Sequence, residues 1–444
     1  MDLLSFDVAE IILSSIASPG DLLALALTSH YWAGLILPHH IQYRKLFIGS
    51  EDHLPLWTHL AIRKDLAKNV REVHMSNVRR RGERCPTTLV PVLDVQPEEE
   101  ETIFLRAFQN LERLEIFTWR AHKCPGYMDP HRNYKLFDIL SNARYMRSID
   151  ILSVTRWQKK INETLWKTHP VFNLRNLTRF DLSGPFWRSF NQDFPLTSVL
   201  MQCPDIEEFS IFHTEILSTF TTCFFPRLRR LTIIGTGNSE IDLLKKFLHK
   251  HKTVQELTWY PLGGTRLLPD SLPALQKITS NHTFIMNLLQ DETVPNRVLH
   301  NISRIHLDPP SIKILEEIDG SQVRELFLCP CAGVQGIRRI AKLFPNVVTL
   351  GILDEPFYDM MRVSIDDEIC SLSLFPALEC ILTARIWTMI SKLREWEARQ
   401  DAITKLAYAC PNLKYIVPSS PPKRKIVLSR DGEQVTWIEL YLGD

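Results

Sequence analysis

The chain has 444 residues, 45% of them hydrophobic, with 52 basic side chains against 51 acidic ones and a formal charge of +1. That balance allows a large core and argues against a strong field for nucleic acid or an anionic membrane surface. The cysteines, 9 in number and irregularly spaced without paired CxxC units, point to buried free thiols rather than a disulfide framework, and so to a cytoplasmic or nuclear protein.

Residues 3–38 are the most apolar stretch of the chain, "LLSFDVAEIILSSIASPGDLLALALTSHYWAGLILP". Asp2 and Asp7 stand where a secretory signal needs a basic start, and Pro19-Gly20-Asp21 splits the run. A bilayer span needs about 20 consecutive apolar residues, and Thr28, Ser29 and His30 interrupt the second half. The spacing predicts three short helices instead. Val8, Ile11, Ile12 and Ile16 fall on one helical face, with Ser5 placed to cap the helix and Asp7 in its first turn. Pro19 and Gly20 end that helix, and Asp21 opens a second through Leu22, Leu23, Leu25, Ala26 and Leu27. Tyr31, Trp32 and Leu35 suggest a third before Pro38. A unit of about 45 residues has too little interior to bury all this hydrocarbon, so either the rest of the chain or a partner must cover it.

The same residues carry a resemblance. "LSFDVAEIILSSIASPGDLLALALTSHYWAGLILPHHIQYRKL" resembles an F-box, matching at Leu4, Val8, Ile11, Ile12, Ile16, Pro19, Asp21, Leu22, Leu23, Leu27, Trp32 and Leu35. Ser5 stands where the family usually has Pro; both residues start helices. The resemblance implies a three-helix domain over residues 1–48 that binds the Skp adaptor, and through it a cullin, in a Skp-cullin-F-box ubiquitin ligase. On that reading Leu4, Val8, Ile11, Ile12, Ile16, Leu22, Leu23, Leu27, Trp32 and Leu35 form the adaptor-binding set.

From about residue 69 the pattern L-x-x-L-x-L recurs, often after Pro-x-Leu or Asn-Leu, as in "NLERLEI", "NLTRFDL", "RLRRLTI", "NISRIHL" and "QVRELFL". Its first apolar residues fall at 70, 111, 146, 177, 206, 228, 254, 275, 302, 323, 347, 378 and 413. The last two apolar residues of each unit alternate as in a strand, which places Leu114, Ile116, Leu182, Leu231, Ile233, Leu326 and Leu328 inside. Amphipathic segments such as "YKLFDILSNAR", "IDLLKKFLHKHK" and "VQGIRRIAKLFP" precede many units. The expected fold class is α/β: the N-terminal three-helix F-box, then an irregular leucine-rich-repeat solenoid over 49–420. Its parallel sheet would lie on the concave side and its helices on the convex side.

This arm resembles the leucine-rich-repeat substrate arms of F-box proteins, especially divergent F-box-like families abundant in fungi. The usual Asn after the last Leu is missing; Trp119, Val154, Pro185, Thr214, Thr236 and Cys331 stand there, so no continuous Asn ladder is expected. Residues 79–101, with a basic run, three Pro and a four-Glu run, read as an exposed insertion. Residues 421–444 read as a hairpin about Asp431-Gly432 that caps the last repeat.

The sequence contains no phosphate loop, dinucleotide fingerprint, zinc-protease motif or nucleophile elbow. Cys329 and Cys331 lack a second pair at ligand spacing and read as free thiols, and His249–Lys252 as a solvated helix end. The expectation is a non-enzyme with no cofactor and no metal, acting through a surface. One outward strand row comprises Glu115, Asp150, Asp181, Ser210, Thr232, Thr258, Thr279, His306 and Phe327. Beside it stand Phe117, Leu152, Phe212, Ile234 and Tyr260. These residues either tile the sheet beneath loops or hold a target protein, for which Phe117, Leu152, Phe212, Ile234, Tyr260, Glu115, Asp150 and Asp181 are the candidates. The functional expectation is a substrate receptor of the ligase. The alternative is a repeat scaffold whose N-terminal helices only cap the first repeat, burying Trp32 and Leu27.

Overall fold

A short strand, a turn and a returning helix recur along the chain, because strand residues alternate apolar and polar while each helix is apolar on one face. The computed structural model describes residues 5–16, 19–37, 40, 43–48, 53–76, 97–120, 134–151, 169–182, 196–211, 222–234, 241–261, 264–290, 298–305, 309–317, 319–328, 334–352, 364–382, 384–393, 395–417, 424–432 and 434–441. Among them no helix is long and apolar enough to cross a membrane. The chain divides into two compact units, Met1–Phe225 and Pro226–Asp444.

The first unit opens with α1 (Phe6–Ser15), α2 (Pro19–Ala26) and α3 (His30–Ile36). Six strands follow: β1 (Lys45–Ile48), β2 (Glu72–Ser76), β3 (Ile116–Arg120), β4 (Ser148–Ile151), β5 (Arg179–Leu182) and β6 (Glu208–Ile211). Each pairs in parallel with the next. The connections carry α4 (His53–Ile62), α5 (Lys64–Ala67), α6 (Pro97–Gln109) and α7 (Tyr134–Asn142). The acidic end of the expected insertion is therefore helical: Pro97 starts α6, and Glu98, Glu99 and Glu100 lie in its first turn, where the helix dipole favours them. Residues 79–96 lie outside the described residues.

In the second unit β7 (Arg230–Ile233), β8 (Glu256–Trp259), β9 (Lys277–Ser280), β10 (Asn301–Ile305), β11 (Glu325–Leu328), β12 (Thr349–Ile352), β13 (Cys380–Leu382) and β14 (Tyr415–Val417) run parallel. β15 (Arg424–Asp431) then pairs antiparallel with β14, and β16 (Gln434–Tyr441) antiparallel with β15. Gly432, at φ +59, makes the turn between the last two. The helix Ile241–Lys250 illustrates the covering layer: Leu244, Phe247 and Leu248 are buried, and His249 and Lys250 complement the dipole at its C-terminus.

Leu114, Leu231, Ile233, Leu326 and Leu328 are buried, whereas the side chain of Leu182 is outside the described residues. Two repeats take a different register from the one the pattern suggests. In β3 the inward residues are Phe117 and Trp119, in register with Val73 and Met75, and Ile116 faces outward and is half-buried. In β10 Ile302 is in register with Ile278 and Leu326, so the unit begins at the buried Leu299, three residues early. Both are slides of three, which L-x-x-L tolerates because one apolar match survives. With the slide corrected, Ile278, Ile302, Leu326 and Leu350 follow one another at a constant 24 residues.

Backbone bonds tie the repeats. The carbonyl of Arg44 accepts from the N–H groups of both Arg71 and Glu72, and the same fork repeats at Arg71, Glu115, Arg147 and Thr178. In the second unit it runs through Arg229, Gln255, Gln276, His300, Arg324, Val348 and Glu379, all these bonds in both units being 2.7–3.1 Å long. Asparagine side chains add ties between repeats: before the strands Asn346 Nδ2 donates to the Ser321 carbonyl at 2.9 Å and Asn412 Nδ2 to that of Pro376 at 2.8 Å, and just after β9 Asn281 Nδ2 donates to the Pro261 carbonyl.

Gly351 on β12 lies beneath the half-exposed ring of Phe327, and a Cβ there would overlap Cδ1. Gly351→Ala should therefore cost about 1–3 kcal/mol of overpacking. Adding Phe327→Ala should recover most of it, as a double-mutant cycle of thermal unfolding would read.

Candidate functional site

Two surfaces emerge, one on the three N-terminal helices and one on the outward face of the strands. Ser5 Oγ accepts from Val8 N at 3.5 Å and Ser29 Oγ from Trp32 N at 3.3 Å, starting α1 and α3. Leu13, Leu22, Ala26 and Ile36 close a small core, against which Ile16, Leu25, Trp32 and Leu35 pack partly buried. Helical spacing then sorts the leucines of α2: Leu22 and Ala26 point in, Leu23 and Leu27 out. Leu22 is thus a correction to the expected adaptor set, being fully buried in the helices' own core. Val8, Ile11, Leu23 and Leu27 are 43%, 70%, 45% and 80% exposed, and Ile12 is exposed beside them. Leu4 lies outside the described residues.

This helical unit is held to the first strands by charge. Glu10 on α1 meets Arg113 at 2.7 Å, Arg71 at 3.6 Å and the buried His40 Nε2 at 2.8 Å, and Arg71 also pairs with Glu115 at 3.2 Å. Burial pushes the Glu10 carboxyl up, but the bonds and charges of His40 and Arg113 outweigh it and leave the pKa below the usual value. Burial pushes His40 down, and the nearby Arg71 and Arg44 charges act in the same sense. Sequence reasoning missed this cluster, in which Glu10 and Arg113 stand 103 residues apart.

On the outward face of the first unit Phe47, His74, Thr118, Asp150, Asp181 and Ser210 stand in register. Phe47 is exposed and stacks on His74 at 4.9 Å. Asp150 is buried yet accepts from Arg120 Nε and Nη2 at 3.1 and 2.6 Å. Two candidates leave this face because of the slide in β3: Phe117 is fully buried in the core, and Glu115 precedes the strand, with Thr118 in its place. In the second unit Thr232, Thr258, Thr279, Ser303, Phe327 and Gly351 form a row of their own. Ile234 and Tyr260 follow their strands half-exposed, and Leu152, Phe212 and His306 lie outside the described residues.

Among the described residues no three His, Cys, Asp or Glu side chains group as metal ligands. Burial pushes the Cys203 thiol up to about 11 and that of Cys410 to about 12, keeping both protonated at neutral pH. Cys329 and Cys331 are outside the described residues.

No family model and no curated protein matches the chain. Among solved structures it is similar to a chain of the yeast Rad7 and Elc1 complex, at 13% identity and TM-score 0.39, over 93% of this chain and 86% of that one. It is also similar to the leucine-rich repeat-containing protein LegL7 from Legionella pneumophila, at 13% identity and TM-score 0.31, over 84% and 90%. The repeat architecture described above rests on the strand pairing itself.

The charge cluster gives a pH dependence. Just below pH 6.5 the unfolded chain binds a proton that folded His40 refuses, and below 4.5 the same holds for Glu10, so acidification lowers stability through both windows. His40→Gln, which keeps a donor for Glu10, should flatten the upper window in unfolding midpoints measured across pH. Some slope should remain, because burial also depresses His169 and His251.

Proposed function

We propose that the chain is the substrate-recognition subunit of a Skp-cullin-F-box ubiquitin ligase, working in the cytoplasm or nucleus and contributing no chemistry of its own. The observation that carries this reading is the division of labour within the first helices. They satisfy a small core with Leu13, Leu22, Ala26 and Ile36 and still present Val8, Ile11, Ile12, Leu23 and Leu27 to the outside. Exposed hydrocarbon of this kind marks a protein contact, and the F-box resemblance names the Skp adaptor as its cover. The outward strand rows then hold the target, with Asp181 in the first unit and, just past their strands, Ile234 and Tyr260 in the second among the candidate side chains.

The scaffold alternative draws support from the Glu10 cluster, which fastens α1 to Arg71 and Arg113 as a cap would. Exposure of Leu23 and Leu27 favours the adaptor reading over it.

Leu23→Glu with Leu27→Glu decides between the two. Each buried Leu is worth roughly 1.5–3 kcal/mol, and a desolvated carboxylate adds a further penalty. Together these remove a micromolar contact of about 8 kcal/mol from detection. The double variant should lose co-purification with the Skp adaptor, as should a chain lacking residues 1–48, while its thermal unfolding stays cooperative with a near-unchanged midpoint. Loss of the cooperative transition would assign both side chains to the protein's own core and support the scaffold.

A further inference from the structure

The hairpin of the second unit leaves one strand edge open. β16 is last in its sheet and pairs on one side with β15, so among the described residues its other edge has no ladder partner, and only the Val435 carbonyl there is taken, by Gln400 Nε2 at 3.0 Å. Proteins usually blunt such an edge with Lys, Pro, a bulge or short length. β16 is 8 residues long, its register with β15 is unbroken, and "QVTWIELY" contains neither Lys nor Pro.

Its two faces differ. On one, Val435 is buried and Trp437 stacks on Trp396 at 5.2 Å, meets Trp387 edge-on at 5.9 Å and donates from Nε1 to Gln400 Oε1 at 2.8 Å. These contacts fix the strand. On the other face Thr436, Ile438 and Leu440 are exposed, Ile438 at 57% and Leu440 at 43%.

We propose that β16 is a self-pairing edge, at which two copies of the chain join antiparallel about Ile438. A two-fold axis through that residue sets Ile438 against Ile438 and Leu440 against Thr436, so both exposed apolar side chains are covered. On the other face Glu439 meets Trp437. The strand's one charge therefore never faces its own copy, whereas a centre at Glu439 would oppose two carboxylates. This charge pattern makes the strand its own complement and offers no selective feature for a charged peptide. One pair of strands buries less than the roughly 1,200–2,000 Å² of a stable interface, so the dimer is weak and reversible.

Sedimentation of the full chain at rising concentration tests this, independently of any adaptor. The mass should rise from 51.5 kDa toward twice that value in the micromolar range. Ile438→Lys and Leu440→Lys should each hold it at the monomer with thermal unfolding unchanged, and Ile438→Val should restore association. A wild-type chain that stays monomeric, or an Ile438→Lys chain that associates equally, overturns the proposal. So does a monomeric chain that pairs this edge with a strand of another protein. Should both Lys variants fail to fold, the wild-type concentration series still decides.

Discussion

Where β2 to β6 and β8 to β14 begin, one backbone carbonyl takes the two leading N–H groups of the following repeat, as the Arg44 oxygen takes those of Arg71 and Glu72. The bond asks nothing of the side chains, which explains how residues as different as Arg147, Thr178, His300 and Val348 occupy equivalent positions. It also leaves the rest of the repeat free to vary, from 21 residues between β8 and β9 to 44 between β2 and β3. The backbone fork carries much of what a continuous asparagine ladder would supply. The side-chain ties from Asn346 and Asn412 are local additions.

Fixing the start of each strand fixes which side chains face out, because alternation makes the choice of face a matter of one residue. Most repeats could be read from the sequence for this reason: at Val323, Leu326 and Leu328 only one register buries all three residues of the pattern, and Phe327 between the last two faces outward. At Leu111, Leu114, Phe117 and Trp119 four apolar residues admit two registers. The fork at Arg71, which receives the N–H groups of Glu115 and Ile116, selects the later one, burying the aromatic pair. At β10 an irregularity between Ser303 and Ile305 restores Ile305 to the line of Leu328, and a strict pattern cannot anticipate that shift.

The N-terminal helices were legible as helices but not as faces. Leu22 and Leu23 are equally apolar in sequence, and only packing against Leu13 and Ile36 turns one inward and leaves the other outside. The charges were less legible still. Glu10 lies within an apolar helix with nothing nearby to mark it, and its partners come from turns that the ladder alone brings close.

Arg71 joins these two levels of organisation. Its carbonyl is the fork that receives Glu115 and Ile116, and its side chain meets both Glu115 and Glu10. The residue that sets the register of β3 therefore also helps to set the position of α1, the helix that presents Val8, Ile11 and Ile12. Apolar packing is non-directional and would let a ten-residue helix roll on its neighbours. Charge-assisted hydrogen bonds to Arg113 and His40, with the Arg71 ion pair beside them, have preferred directions and resist that roll. On the proposed function, the angle at which an adaptor is held to the strands of the first unit is thus written in a few polar atoms beneath the apolar face.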